Sequence, residues 1–206
     1  VARARTGVAA IESLQSETQR VLPPFLYDLT ELQRHANRLF GFSAQHTLDL
    51  AQALYERYKV ISYPRTDSRY LSEDVARTIP RIVNTIGSHY RQYLAEGSGE
   101  RPLGKRFVDD AKVSDHHAII PTAVDAERAG LGPEEQKIYD LICRRLLSAW
   151  HADHILAVTT VVTVVRNGEI ADRYRTSGTA IQQMGWKILD RAPEKKKKAK
   201  EEAGAE

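Results

Sequence analysis

A tyrosine followed two positions later by an arginine lies within residues 61–70, which read Ile-Ser-Tyr-Pro-Arg-Thr-Asp-Ser-Arg-Tyr. A phenol is a poor nucleophile at neutral pH because its ordinary pKa is about 10, so it needs neighbours that stabilise the phenolate and the transition state. In an extended segment, side chains two positions apart share a face, which would place Arg65 beside Tyr63. This pattern favours attack on a phosphodiester. The same residues could instead form an ordinary strand that Pro64 ends and a polar turn follows.

A second polar motif occupies residues 114–122, which read Ser-Asp-His-His-Ala-Ile-Ile-Pro-Thr. A phosphate raises the pKa of a nearby histidine and keeps it a hydrogen-bond donor, so His116 and His117 are candidates for phosphate contact. Alternatively, the two histidines form a plain polar turn ahead of a buried Ala-Ile-Ile strand.

The two motifs together resemble the type IA DNA topoisomerases, in the form typical of the bacterial topoisomerase III branch. The resemblance extends over roughly residues 8–189. Upstream of the tyrosine it includes residues 23–30 (Pro-Pro-Phe-Leu-Tyr-Asp-Leu-Thr), 32–34 (Leu-Gln-Arg), 42–44 (Phe-Ser-Ala), 47–48 (Thr-Leu), 51–52 (Ala-Gln) and 54–56 (Leu-Tyr-Glu).

The resemblance implies a role for each matching residue. Tyr63 would form the 5′-phosphotyrosine link, Arg65 would steady the scissile phosphate, and His116 would assist at that phosphate through a proton network. Related enzymes often carry a glutamate at the position of His117, which leaves its role open. Further residues expected at the DNA are Thr66, Asp67, Ser68, Arg69, Lys112 and His117.

The expected activity is that of a DNA topoisomerase, an isomerase that cuts one DNA strand, passes another and reseals the break without ATP. The alternative is a non-catalytic single-strand DNA-binding module that keeps the fold and has lost the chemistry. A nicking relaxase that uses a histidine-bound metal is a third interpretation. It is disfavoured because His116 and His117 are adjacent, and adjacent side chains on a strand point to opposite faces.

The family's cleavage site also needs an acidic Mg²⁺-binding domain called Toprim, which carries an Asp-x-Asp pair. This chain contains no Asp-x-Asp. We therefore expect no metal site in the chain, Mg²⁺ bound by a domain absent from it, and no activity of the chain alone. We expect it to be an excerpt of a longer protein or a truncated gene product, with single-stranded DNA and the missing Toprim and core domains as its partners.

Composition narrows the class of protein. The net charge is +3, from 30 basic and 27 acidic residues, so nucleic-acid affinity must come from clustering of charge. The single cysteine, Cys143, excludes an internal disulfide, is expected in the core and suits a reducing cytoplasm. The longest apolar run, residues 155–165, is too short to span a bilayer, so we expect a cytoplasmic protein without a membrane partner.

The periodicity of the chain predicts an α+β fold, with a mainly helical domain of winged-helix or catabolite-activator-like type and a partial antiparallel β domain. We expect one helix that is capped by Thr30 and ends at Gly41, a second that is capped by Ser43, and further helices after Ser72 and from Pro133. We also expect a strand at residues 60–63, a basic loop at residues 97–112, and a hairpin that turns at residues 167–168. Together with the resemblance, which implies an arch-like β domain, the expected division is a strand and hinge of that arch (1–24), the tyrosine-bearing domain (25–132), a helix and hairpin returning to the arch (133–190) and a disordered charged tail (191–206).

Overall fold

The computed structural model describes residues 2–190, which form two compact units. One unit, the sheet unit, contains residues 2–24 and 151–188. The other, the helical unit, contains residues 25–150 with 189 and 190. Helices accompany one antiparallel three-stranded sheet, so the predicted α+β class is confirmed. The predicted tail at residues 191–206 lies outside the described residues.

The sheet unit begins with α1 (Ala2–Thr6) and β1 (Val8–Val21). β1 pairs antiparallel with β2 (His154–Asn167), and β2 pairs antiparallel with β3 (Ile170–Gln183). The predicted hairpin is therefore present, and its second strand continues to Gln183. Gly168 in the turn has a φ of 63°, a conformation that glycine adopts without a steric penalty.

The helical unit carries six α-helices and two of the three 3₁₀ turns in the described residues. The helices are α2 (Leu29–Phe40), α3 (Ala44–Glu56), α4 (Glu73–Ala76), α5 (Ile79–Tyr90), α6 (Ala126–Ala129) and α7 (Pro133–Ser148). The 3₁₀ turns are Arg91–Tyr93 and Asp110–Lys112, and a third, Gly185–Leu189, follows β3.

Helix α7 packs against α3 and belongs to the helical unit. The predicted range 133–190 is divided after residue 150, between the helical unit and the sheet unit. The physical reason is the apolar face of α7, on which Ile138, Ile142 and Leu146 are fully buried in the same core as the α3 residues Ala51 and Leu54. A helix with such a face packs where apolar surface is available, whatever follows it along the chain.

The ends of the helices show where local sequence rules succeed. Ser43 caps α3 as predicted, since its Oγ accepts a hydrogen bond from the backbone N–H of His46 (3.1 Å). Gly41 ends α2 as predicted, in the left-handed conformation with φ 74°. The predicted cap at Thr30 is wrong. Asp28 caps α2 instead, and its Oδ1 accepts from the N–H of Glu31 (2.6 Å).

The strand predicted at residues 60–63 is not formed. Only an isolated bridge joins Ile61 to Pro121, and a second joins Tyr27 to Ile119. The predicted Ala-Ile-Ile strand at residues 118–120 is likewise reduced to such bridges. These segments are buried like core strands, since Val60, Ile61, Ala118 and Ile119 are at most 1% exposed. Side-chain hydroxyls make part of the hydrogen bonding that a ladder would otherwise supply.

The core of the helical unit is continuous and includes Cys143, which is fully buried as predicted. Burial raises the pKa of the Cys143 thiol to about 12, so the thiol stays protonated and unreactive. Among residues 2–190, no helix combines the length and the apolar character required to cross a lipid bilayer.

A polar cluster lies inside this core. The Tyr27 hydroxyl donates to His35 Nδ1, and Arg145 donates to the same nitrogen from Nη2 (3.3 Å) and to the Phe25 carbonyl from Nη1 (2.8 Å). Nδ1 therefore acts as an acceptor, which requires a neutral imidazole with its proton on Nε2. Burial is the main cause that lowers the pKa of His35 to about 4, and the charges of Arg145 and Arg38 add to it.

This lowered pKa predicts that acid destabilises the fold before the carboxylates titrate. Between pH 6.5 and about 4 the unfolded chain holds a proton on His35 that the folded chain does not, so stability falls as pH falls through this window. The total loss is up to about 3 kcal/mol, and stability is insensitive to His35 above pH 7. Urea unfolding at pH 5, 6 and 7 measures it. His35→Gln should flatten the pH dependence, and an unchanged slope in that variant would contradict the assignment.

Candidate functional site

Tyr63 contacts two rings, one from the helix that precedes it and one from the second motif. Tyr55 of α3 meets it edge-on, with ring centroids 5.4 Å apart and an interplanar angle of 78°. The centroid of the His116 ring lies 4.3 Å from that of Tyr63, with an interplanar angle of 43°. Tyr63 is half-buried and His116 is exposed. The two predicted motifs therefore meet at the tyrosine, where solvent and a ligand can reach them.

Ser62 locks the two motif segments together. Its backbone N–H donates to the Ile120 carbonyl (2.9 Å), its Oγ donates to the Ala118 carbonyl (3.1 Å), and the same Oγ accepts from the Ile120 N–H (3.0 Å). The hydroxyl thus makes bonds that a regular ladder would give to the backbone. This arrangement fixes the neighbouring Tyr63 relative to the second motif.

Thr66 and Ser68 are buried, at 7% and 6% exposure, and their hydroxyls are bonded to the backbone. Thr66 Oγ1 donates to the His116 carbonyl (3.2 Å) and accepts from the Ser68 N–H (3.1 Å). Ser68 Oγ donates to the Lys112 carbonyl (3.0 Å) and accepts from the Tyr70 N–H (3.2 Å). The structure therefore places these two predicted site residues inside the loop, where they shape it, while Asp67 between them is exposed.

Arg65 is exposed and its guanidinium meets Gln52 of α3. The Gln52 amide is oriented with its oxygen toward Arg65, because the opposite orientation would set donors against donors. In this orientation the oxygen accepts from Nη2 (2.9 Å) and from Nε (3.3 Å). The arginine that the sequence placed beside the tyrosine is thus held by the same helix that holds the tyrosine through Tyr55.

Cations stack on two aromatic rings next to this loop. Arg69 and Arg106 lie over Phe25, with the guanidinium carbons 5.0 and 4.2 Å from the ring centroid. The Phe25 ring lies 5.5 Å from that of Tyr70, and Lys112 Nζ lies 4.6 Å above Tyr70 and donates to its hydroxyl (3.3 Å). The hydroxyl bond is the main cause that raises the pKa of Lys112. Three positively charged side chains thus stack on two neighbouring aromatic rings.

Carboxylates partly offset this charge. Asp28 lies 3.8 Å from Arg69 Nε, and Asp109 lies 3.6 Å from Lys112 Nζ. The predicted basic loop at residues 97–112 is only partly a free surface, because Arg101 donates to the Trp150 carbonyl (2.8 Å) and Trp150 Nε1 donates back to the Arg101 carbonyl (2.7 Å).

His117 is half-buried, unlike its exposed neighbour His116. Its Nδ1–H donates to the Ala118 carbonyl (2.7 Å), and burial is the main cause that lowers its pKa. A neutral His117 is a weak phosphate ligand, so His116 is the better placed of the two predicted histidines.

Metal ligands are not gathered at this site. No group of three or more His, Cys, Asp or Glu side chains that could hold a metal ion occurs among residues 2–190. The residues at Tyr63 therefore do not fit a Mg²⁺ site, and the chemistry available to them is that of the phenol, the guanidinium and the imidazole.

Two residues of the site had no role in the sequence-based prediction, namely Gln52 and Tyr55. They lie three positions apart on α3, a spacing that puts both side chains on one face of a helix. That spacing was visible in the sequence. What it could not indicate is that this face of α3 packs on residues 63 and 65.

Comparison with known proteins gives consistent matches. A family model described as DNA topoisomerase matches residues 1–205. The chain is 41% identical over 181 residues to DNA topoisomerase 3 of Bacillus cereus (strain ATCC 10987), a match that covers 87% of this chain and 24% of that protein. It is 40% identical over 189 residues to DNA topoisomerase 3 of Bacillus subtilis (strain 168), covering 90% of this chain and 25% of the relative.

Full-length topoisomerase I from Thermotoga maritima has a similar fold, with a TM-score of 0.63 at 23% sequence identity. That match covers 92% of this chain and 31% of the solved chain. The present chain thus spans about a quarter of the length of the curated relatives it matches.

The buried hydroxyl of Thr66 predicts a stability effect that the exposed residue beside it lacks. Thr66→Val removes the acceptor of the Ser68 N–H and the donor to the His116 carbonyl, and should cost about 1–3 kcal/mol in free energy of unfolding. Asp67→Asn should change stability by less than about 0.5 kcal/mol. Urea denaturation of the 206-residue chain measures both. Equal stabilities of the two variants would show that Thr66 does not hold the loop.

Proposed function

Because the chain belongs to the type IA DNA topoisomerase family, we propose that it supplies the nucleophile for cleavage of a single DNA strand. The observation that carries this proposal is the contact between Tyr63 and His116, since it unites the two motifs around one accessible phenol. The overall reaction would be cleavage, passage of a second strand and resealing, without ATP.

The cleavage step is a transesterification. The Tyr63 oxygen attacks phosphorus and forms a new P–O bond, while the bond from phosphorus to the 3′-oxygen breaks. The phenol loses a proton and the leaving 3′-oxygen gains one. The product is a 5′-phosphotyrosine and a free 3′-hydroxyl, and attack by that hydroxyl reverses both bond changes. The phosphodiester energy is kept in the phosphotyrosine, so resealing needs no nucleotide hydrolysis.

Arg65 and His116 would act on the phosphate. The guanidinium is planar and can donate two parallel bonds to phosphate oxygens, which stabilises the charge that grows there in the transition state. His116 is exposed beside the attacking ring, in a position to join the proton transfer. Donors fixed in place before the reaction are worth more than mobile ones, because no reorganisation is needed.

Single-stranded DNA is the proposed ligand of the surrounding surface. Arg69, Lys112 and Asp67 are the predicted contacts that the structure leaves accessible, and two aromatic rings support the two cations. Cations beside aromatic faces suit a flexible strand, since they serve the backbone and the bases together. Thr66 and Ser68 would contribute by shaping the loop.

The remaining parts of the enzyme are proposed to lie outside this chain. Mg²⁺, if the intact enzyme uses it, would be held by another domain, because the residues at Tyr63 do not form a metal site. The helices α2 and α3 followed by the bridged segment at Ile61 support a winged-helix or catabolite-activator-like relationship for the helical unit. The sheet unit would be part of the arch-like β domain of the intact enzyme.

The chief alternative is a single-strand DNA-binding module without catalysis. It would use the same surface and would not need Tyr63. Trapping of a covalent protein–DNA adduct with denaturant separates the two functions.

The nucleophile is tested in a hybrid enzyme in which this chain replaces the matching 189-residue stretch of the Bacillus subtilis relative. Tyr63→Phe should abolish adduct formation and plasmid relaxation and leave affinity for single-stranded DNA within about twofold, since only the hydroxyl is removed. Tyr70→Phe is the matched control and should remain active. Adducts that survive in the Tyr63 variant would refute the assignment.

The 206-residue chain alone should bind single-stranded DNA weakly and in a salt-sensitive manner, and should not relax supercoiled plasmid when Mg²⁺ is added. A nucleophile without the charges that organise the DNA backbone lacks most of its transition-state stabilisation. Fluorescence anisotropy over a salt series and a gel assay of plasmid relaxation measure the two expectations. Relaxation by the purified chain would contradict the proposal that cleavage needs groups from another domain.

A further inference from the structure

The contact between Arg65 and Gln52 uses a particular edge of the guanidinium. The Gln52 oxygen accepts from Nε and from Nη2, the two donors on the inner edge of the fork. Arginine has five N–H donors in one plane. The outer edge, formed by Nη1 and the second hydrogen of Nη2, is a second edge that can donate two parallel bonds to a phosphate. Gln52 therefore leaves one edge with two parallel donors available to a phosphate.

The Gln52 side chain is uncharged, and this affects Arg65 as much as the position of the amide does. A carboxylate at residue 52 would accept the same two bonds, but its charge would cancel that of Arg65 where a phosphate must bind. An amide oxygen orients the guanidinium without neutralising it. Two other arginines of the helical unit pair with carboxylates, Arg69 with Asp28 and Arg144 with Asp140. Arg65 is held differently from those two.

The anchor is rigid enough to act as a positioning element. Gln52 is half-buried on α3, one turn before Tyr55, which contacts the Tyr63 ring. The helix is fixed by the buried residues Ala51 and Leu54 between and beside them. One helical face thus sets both the nucleophile and the arginine.

We propose that Gln52 is a positioning residue that aims the outer edge of Arg65 at the scissile phosphate while preserving its full positive charge. This inference rests on the proposed cleavage function. It assigns a new role to a residue that touches neither the reacting phosphorus nor the attacking oxygen. The effect on the reaction passes entirely through Arg65.

The first test measures the contact in the 206-residue chain, without DNA. The Nε–H resonance of Arg65 in a ¹⁵N-edited NMR spectrum should be protected from solvent exchange. Gln52→Ala should remove that protection, and Gln52→Glu should retain it. An unprotected Arg65 signal in the wild-type chain overturns the inference, whatever the catalytic result.

The second test separates orientation from charge in the hybrid enzyme. Gln52→Ala should slow adduct formation roughly 10-fold, and Gln52→Glu roughly 100-fold, because the carboxylate keeps the geometry but neutralises the guanidinium. Gln45→Glu makes the same change on an exposed position of the same helix and should stay within about twofold of the parent. Gln52→Glu at the parental rate overturns the inference.

A double-mutant cycle excludes a merely structural role. In an Arg65→Lys background, where no planar fork remains to be aimed, Gln52→Ala should add less than about a twofold loss. A full 10-fold loss in that background would show that Gln52 acts through stability, and would overturn the inference. A parent hybrid that forms no adduct contradicts the proposed function instead, and the NMR measurement still decides whether Gln52 holds Arg65.

Discussion

The hydrogen bonds of Ser62 are the constraint on which the site depends. Buried backbone groups must be paired, and a segment that does not form a ladder must find other partners. Ser62 supplies them through one hydroxyl that both donates to Ala118 and accepts from Ile120. Because this lock joins the two motif segments one residue before Tyr63, the phenol and the His116 ring are brought together by backbone geometry and not by their own contact.

Charged side chains of the helical unit are also held in place without a ligand, by contacts with aromatic rings. The rings of Phe25 and Tyr70 already restrict the cationic side chains that stack on them. These side chains would therefore lose less conformational entropy on binding a phosphate than freely moving ones. Nearby carboxylates, Asp28 and Asp109, keep the net charge of this surface low.

Short sequence patterns predicted much of the secondary structure. They failed at positions whose structure depends on tertiary packing. Ser43 and Gly41 are local signals that the structure confirms, because a cap depends only on a few adjacent residues. The strand predicted at residues 60–63 has the right composition and burial, but serine and threonine hydroxyls replace its ladder. Gln52 could not be assigned from the sequence, since its partner becomes its neighbour only when α3 packs against the motif loop.

Tyr63, the proposed nucleophile, lies in the helical unit, whose buried apolar residues form one continuous core. Val60 and Ala118, which flank the site, are fully buried in that core, whereas the sheet unit exposes large apolar side chains such as Val8 and Ile11. The geometry of Tyr63, Arg65 and His116 is therefore held by burial within the helical unit itself. Among residues 2–190 no group of three or more potential metal ligands occurs, so in the proposed cleavage any metal-bound charge at the leaving oxygen would come from another part of the enzyme.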